Sequence, residues 1–263
     1  LKELQNKYKF EFYQNGRLKG AGSCRNIGIE KAKGKWIIFA DSDDFFLEKF
    51  YYIVSKYFNS ENDVVFFSPI SKYIDTGKIS DRHLSFRRKI QSYLDYKNKK
   101  NKFFLRYTLI VPWSRLIRRA FINANKLKFD EIKISEDILF TTKVGHLMCK
   151  FDVTLEEIYC VTMRFGSFSK TSIKEDLFDI LANTKISYIK YLNSNLKKKE
   201  LDNIMKPYIY NKATELLLRA LKNYGIQKFF QIYNLYNKEN IKWFRIIYLN
   251  PFKVINYQNK TSN

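Results

Sequence analysis

The sequence predicts an α/β fold in which buried strands alternate with helices, followed by a helical C-terminal region. Three observations carry that expectation. The uninterrupted apolar run Trp36-Ile37-Ile38-Phe39-Ala40 is short and rich in β-branched and aromatic residues, as in a strand buried on both faces. A second such run, Val64 to Phe67, follows a helical stretch from Leu47 to Phe58, which is the rhythm of a parallel sheet. Beyond Lys174 the apolar spacing becomes helical almost to the end, so a boundary falls near Thr171 to Glu175 and divides the chain into residues 1–172 and 173–263.

The elements follow in order. Leu1, Leu4 and Tyr8 share one helical face, and Phe10 to Tyr13 reads as a short strand. Gly16, Gly20 and Gly22 mark a loop, after which Ser23 is placed to cap a helix from Cys24 to Lys33 that Gly34 ends. With the strand Trp36 to Ala40 this makes a β-α-β unit. From Asp81 to Lys128 there are 14 Lys or Arg against two Asp, but Phe86, Tyr93, Tyr96, Phe103, Phe104 and Tyr107 interleave them, so part of the segment must pack. Pro112 to Ile117 precedes a helix from Arg118 to Asn125. Ser135 is a natural N-cap for a helix carrying Glu136 and Asp137 in its first turn. Two strands follow, Phe151 to Thr154 and Ile158 to Met163. In the helical region Leu177, Ile180, Leu181, Thr184 and Tyr188 share a face, as do Leu216, Leu217, Ala220 and Leu221, and the segment Trp243 to Ile255 reads as core or as an interfacial stretch.

Composition bounds the chemistry. With 263 residues, 45% of them hydrophobic and 17% aromatic, the chain has material for a core, which excludes wholesale disorder. A net charge of +22 favours polyanionic partners, although abundant Lys, Asn, Ile, Phe and Tyr together are also what AT-rich coding sequence produces. Cys24, Cys149 and Cys160 are widely spaced, with no CxxC pair, which suits free thiols in a reducing compartment better than a disulfide framework or a structural zinc site. No apolar run reaches membrane-span length and no signal peptide is visible; the opening at Leu1 reads as a fragment of a longer product.

The apolar run at Trp36 ends in Asp41-Ser42-Asp43-Asp44. Three acids within four residues repel one another unless a cation lies between them, and a hard divalent ion with oxygen ligands is the economical candidate. The alternative is that Ser42 and Asp43 cap the helix beginning near Leu47. Glu136 and Asp137 are equally open to a bland reading, since acids in a first helical turn are common for electrostatic reasons.

Taken together, Cys24-Arg25-Asn26-Ile27-Gly28, Gly34-Lys35-Trp36, Asp41-Ser42-Asp43-Asp44, Pro112-Trp113-Ser114-Arg115-Leu116, Phe129-Asp130 and Ser135-Glu136-Asp137-Ile138-Leu139-Phe140 closely resemble the family 2 glycosyltransferases of bacterial surface-polysaccharide synthesis. The resemblance covers about Leu1 to Lys170. It implies a GT-A fold, a Rossmann-like mixed sheet whose acidic loop holds a divalent metal on a sugar nucleotide, most simply a UDP-sugar with Mn²⁺ or Mg²⁺. By the same resemblance Asp41 and Asp43 are the metal ligands, with Asp41 also on the nucleotide sugar and Asp44 a spare carboxylate. Asp137 is the catalytic base, with Glu136 beside it. Arg25 and Asn26 lie near the nucleotide, with Cys24 in place of the family's usual small Ala. Trp113 faces the acceptor, and Arg164, Ser167 and Ser169 belong to an Arg and Ser cluster near the diphosphate.

The residue types suit an inverting transfer to a glycan or lipid-linked acceptor on the inner face of the cytoplasmic membrane, which needs one base and no covalent nucleophile. His83 and His146 have no visible partners, and His146 reads as packing. The family pattern opens with a strand, a helix and a second strand that this sequence lacks, so the chain alone is expected to bind a sugar nucleotide poorly and to expose apolar sheet edges. Two other classes stay open: a non-catalytic remnant or partner subunit, and a basic nucleic-acid-binding protein, which the acidic loop opposes.

Overall fold

The computed structural model describes residues 7–8, 10–16, 20–164 and 173–241. It divides into two compact units, Leu1–Ile173 and Lys174–Asn263.

The first unit is built on a five-stranded mixed sheet. Its strands are β1 (Trp36–Ile37), β2 (Phe45–Phe46), β3 (Val64–Tyr73), β4 (Arg115–Arg118) and β5 (Phe151–Met163), in the order β1-β4-β3-β5-β2. Only β3 and β5 run parallel, and β1, β2 and β4 pair antiparallel with their neighbours. Side chains alternate across the central strands as the pleat requires. Val64 and Phe66 join Ile37, Phe39, Ile117 and Val153 in one core, while Val65 and Phe67 join Leu116, Ile158, Tyr159 and Val161 in the other. The first core is covered by α1 (Ala21–Lys31), α3 (Leu84–Asp95), α4 (Lys99–Thr108), α5 (Arg119–Ala124) and α6 (Asp137–Leu147) through Ile29, Ile90, Leu105, Ile122 and Val144. The second is covered by α2 (Phe50–Ser55) through Ile53 and Val54.

The mixed α/β sheet is the expected one, with several corrections of detail. The apolar run at Trp36 does have both faces packed, but only Trp36 and Ile37 pair, antiparallel and at a sheet edge. Residues 10–13 form no strand, so the β-α-β unit is not formed there. Of the first predicted helix only residues 7–8 are described, and these are helical. Helix α1 starts from Gly20, and Ser23 lies inside it, its hydroxyl donating back to the Gly20 carbonyl at 3.1 Å. Helix α2 is shorter than predicted and starts from Lys49 with no side-chain cap, which removes the capping reading of Ser42 and Asp43. The two strands predicted after α6 are one. Phe66 opposes Val153 and Ser68 opposes Glu157, so the polar stretch between them is a bulge that also accommodates Pro69, which has no amide to donate. Among the described residues both edge strands are two residues long, which limits the exposed edge that was expected.

The basic segment packs as predicted, with Phe103 and Tyr107 buried and Tyr96 exposed. Helices α4 and α6 meet closely because Gly145 has no side chain: a Cβ there would lie 1.9 Å from the Arg106 carbonyl oxygen. Arg106 ties the pair by donating to the carbonyls of Gly145 (2.6 Å), His146 (3.2 Å) and Met148. Gly145→Ala must push backbone against backbone, and the expected loss in urea unfolding is about 3 kcal/mol.

The second unit is helical, with α7 (Glu175–Asn195), α8 (Lys198–Glu200), a π segment at Leu201–Met205, α9 (Lys206–Tyr224) and α10 (Ile226–Lys238). On α7 the buried side chains are Phe178, Ala182, Thr184, Ile186, Tyr188, Ile189 and Leu192, so the predicted face is turned to seat Phe178, which contacts Tyr224 at 4.7 Å. Leu216, Leu217 and Ala220 of α9 are buried, whereas Leu221 is 41% exposed. The segment from Trp243 lies outside the described residues.

Candidate active site

The site grows from the way α1 lies against the loop before α6. A Cβ on Gly22 would sit 2.2 Å from the Asp130 carbonyl oxygen and 3.0 Å from the Glu136 Cβ, so only glycine lets the helix come this close. Asn26, one turn on, is buried and spends its amide on the same loop: its Nδ2 donates to the Phe129 carbonyl (3.0 Å) and to Glu131 (3.2 Å), and its Oδ1 accepts from the Phe129 amide (2.8 Å). Asn26, expected near the nucleotide, has its side-chain hydrogen-bonding groups engaged in holding this loop.

Arg25 is thereby aimed across the site. Its Nη2 donates to Asp41 Oδ1 and its Nη1 to Glu136 Oε1, both at 2.6 Å, and its guanidinium lies over the Phe129 ring at 5.3 Å. Burial opposes its charge, but Asp41 and Glu136 more than offset this and hold its pKa above the ordinary arginine value. One side chain thus joins Asp41 to Glu136.

The acidic loop is built as a tight turn, with the Asp44 amide donating to the Asp41 carbonyl at 3.1 Å. Asp44 is its anchor, not a spare carboxylate: Oδ2 accepts from the Tyr159 hydroxyl at 2.8 Å and Oδ1 from the Thr162 amide at 2.7 Å. Tyr159 accepts in turn from the Asp41 amide at 2.8 Å, and the Thr162 hydroxyl donates to the Asp43 carbonyl at 2.7 Å. Burial pushes the Asp44 pKa upward. Nothing in the sequence flags Tyr159 or Thr162, which sit over a hundred residues away in an apolar strand. Tyr159→Phe leaves a buried carboxylate oxygen without its donor and the Asp41 amide without its acceptor. The expected cost is about 2 kcal/mol in chemical denaturation, with faster amide exchange at Asp41.

Asp137 opens α6 directly after Ser135, which adopts left-handed backbone (φ 63°) in place of a side-chain cap, and Glu136. Burial raises the Asp137 pKa to about 7, Glu136 and Asp41 push the same way, and Arg25 opposes them. A carboxyl poised near neutrality is suited to accept a proton.

Asp43 and Asp41 offer oxygen ligands at the loop, Asp43 exposed and Asp41 partly so. Among the described residues no group of three or more His, Cys, Asp or Glu is arranged to hold a metal ion. The donor set therefore fits a divalent cation only of the kind completed by phosphate oxygens and water, for which one or two carboxylates suffice. Trp113 is 4% exposed and stacks on Tyr159 (5.6 Å between centroids, 14° between planes), which leaves it beneath the acidic loop's anchor and not open to an acceptor. Arg164 follows β5 and is exposed, and Ser167 and Ser169 lie outside the described residues. His83 and His146 do have partners, Ser71 at 2.8 Å and Tyr107 at 3.1 Å, and burial lowers both pKa values.

Comparison with known proteins finds similarity at the level of family and fold. Residues 1–124 match the model of glycosyl transferase family 2. EpsH of Bacillus subtilis, named a candidate glycosyltransferase, is 24% identical over 87% of this chain, and an uncharacterised glycosyltransferase of Methanocaldococcus jannaschii is 30% identical over 59%. The chain spans 65% and 52% of the lengths of these two relatives. Among solved structures, residues 1–349 of TarS from S. aureus in complex with UDP-GlcNAc superpose with a TM-score of 0.53 at 17% identity, covering 93% of this chain and 79% of that one. The fold is thus of the GT-A type.

Proposed function

We propose that this chain, whose residues 1–124 belong to glycosyl transferase family 2, transfers a sugar with inversion from a nucleotide-sugar donor to a hydroxyl of a glycan or lipid-linked acceptor. The observation that carries the reading is the Arg25 bridge, which brings the acidic loop and the Glu136-Asp137 pair to one place.

Asp137 is the base. It takes the proton of the acceptor hydroxyl as that oxygen attacks the anomeric carbon, and the bond to the nucleoside diphosphate breaks on the opposite face. Its raised pKa matches the task at neutral pH. Glu136 holds one end of Arg25, and Asp41 holds the other. Asp41 and Asp43 would hold Mn²⁺ or Mg²⁺, which when bound supplies Lewis-acid stabilisation to the departing diphosphate. Arg25, anchored at the edge of the acidic loop, adds a fixed positive charge for the same developing negative charge. Asn26 and Trp113 act by position, the first on the Phe129–Glu131 loop and the second under Tyr159. Arg164 and Ser169 are assigned to the diphosphate by the family pattern alone.

A UDP-sugar is the first donor to try, since TarS was crystallised with UDP-GlcNAc. Bacterial surface polysaccharide is the favoured context. No described helix is long and apolar enough to cross a membrane, and the charge of +22 favours peripheral contact with the anionic inner face of the cytoplasmic membrane. The test is a panel of UDP-, GDP- and CMP-sugars with Mn²⁺ or Mg²⁺ and the full gene product, reading released nucleotide. Release from one donor class, abolished by EDTA, is the expected result. No release from any donor would instead favour a non-catalytic partner subunit, and steeply salt-dependent binding of RNA or DNA would favour the nucleic-acid reading.

A further inference from the structure

Three buried side chains with no role in the chemistry above meet at the carboxyl end of β3: Ser71, Ser80 and His83. Ser71 Oγ lies 2.8 Å from His83 Nδ1. It also accepts from the Ser80 hydroxyl at 2.6 Å and from the His83 backbone amide at 3.2 Å. A hydroxyl has two lone pairs and one proton. Both lone pairs are spent on those two donors, so Ser71 meets the ring nitrogen with its proton, and Nδ1 accepts it. Sending the proton to the Ser80 carbonyl at 3.2 Å instead would set Nδ1 against an oxygen able neither to donate to it nor to accept from it. Reversing the bond between the two hydroxyls also fails, because the Ser80 proton then has no other acceptor among the described residues. His83 is therefore the neutral imidazole with its proton on Nε2. Its place agrees, since it stands at the N-terminus of α3, where free amides oppose a cation.

The network closes a hairpin beside the strand that anchors the acidic loop. Ser71, Lys72 and Tyr73 pair with Val161, Thr162 and Met163 of β5. The chain then returns along β3, with the Ser80 amide on the Ser71 carbonyl at 2.9 Å and Ile79 bridged to Lys72. Lys72 thus stands between Ile79 and Thr162, and Thr162 holds Asp44 by its amide and Asp43 by its hydroxyl. We propose that neutral His83 is a positioning residue for the acidic loop, locking this hairpin against the Thr162 strand, and that its protonation opens the lock. An imidazolium carries a proton on Nδ1 as well, and Ser71 Oγ has no lone pair left to receive it. Burial and Arg87, itself paired with Glu157, oppose the imidazolium, whereas Glu157 of β5, the Ser80 carbonyl and Asp81 favour it. The balance holds the His83 pKa below the ordinary histidine value, so the lock opens at a lower pH than that at which Asp137 titrates. The inference rests on the glycosyltransferase reading only for its effect on transfer, because the lock is measured without substrate.

The experiment follows the two histidines of the whole chain by long-range ¹H–¹⁵N NMR, and the Ser80 and Thr162 amides by hydrogen exchange, between about pH 7 and pH 5. The His83 signals are those lost in His83→Asn, whose Oδ1 offers Ser71 an acceptor that takes up no proton. His83→Gln serves if the asparagine variant does not fold. At neutral pH His83 should show a bare Nδ1 and a protonated Nε2. As it titrates, exchange protection at both amides should fall about tenfold or more, the scale of one buried hydrogen bond, while His83→Asn keeps its protection. A proton on Nδ1 at neutral pH, protection unchanged through the titration, or an equal loss in His83→Asn overturns the lock. In the full gene product the acid limb of kcat/KM should be steeper in the parent than in His83→Asn. Equal slopes overturn the positioning role, whereas a parent with no transfer at any pH refutes the glycosyltransferase reading and leaves the lock to stand or fall by the NMR result.

Discussion

Asp137→Asn is expected to lower transfer by about 10²- to 10⁴-fold, the range a positioned general base contributes, with little change in the KM for donor. The amide is nearly isosteric and cannot take the acceptor proton. The pH dependence of the unaltered protein carries the same assignment. Asp137 must be ionised to act, and its pKa stands near 7, so kcat/KM should rise through about pH 7 and level above it, where a carboxylate with an ordinary pKa would already be level at pH 6. Stability should run the other way. The folded pKa is raised above the unfolded one, so between about pH 4 and pH 7 the folded state binds the proton and the unfolded state does not. That contribution to stability is present at the acid end and lost as pH rises through 7. Asp137→Asn removes the loss, and should unfold at higher temperature than the parent at pH 8 while converging with it near pH 5. A variant that keeps full transfer, or a rate profile flat from pH 5.5 to 8, refutes the assignment.

The parts of this site that could be read in the sequence are those whose chemistry is unusual where they stand. Three acids closing an apolar strand conflict with local preference, and so does an acid pair before an apolar helix. Such conflicts gather where function overrides packing. The parts that could not be read act through long-range pairing between ordinary residues. Tyr159 and Thr162 belong to an apolar strand whose alternation is fully explained by the core, yet they hold Asp44 across the sheet. Asn26 carries a family-like residue type, but its neighbour in space is a loop a hundred positions on. The sheet shows the same division. The Val64 strand is legible from composition, whereas its parallel partner reads as two strands because the apolar pattern breaks between Thr154 and Ile158, next to the bulge that follows Val153. Strand direction at β1 is set by β4, which no local pattern in Trp36 to Ala40 reveals.

Arg25→Met should have the largest combined effect of any substitution at the site. It removes two ion pairs at once and leaves Asp41, Glu136 and Asp137 facing one another without the cation that lies among them. The Arg25 and Glu136 side chains are nearly buried, and breaking a buried pair costs about 3–5 kcal/mol. The Asp41 side chain is 34% exposed, so solvent recovers part of its share. A net loss of about 2–4 kcal/mol in urea unfolding follows from that range. The functional loss should appear in both parameters: a raised donor KM, because the acidic loop loses its tether, and a lowered kcat, because the Asp137 pKa climbs once the opposing cation is gone. Glu136→Gln separates these effects. It breaks one arm of the bridge, keeps the tether to Asp41, and removes a like charge beside the base, so the acid limb of kcat/KM should move down where Arg25→Met moves it up. The pairing itself is measured by combining the two substitutions, since residues that share an ion pair are non-additive by about 0.5–3 kcal/mol. Strict additivity would mean that Arg25 and Glu136 are neighbours without being partners, and the bridge could then no longer be what holds the acidic loop to the base.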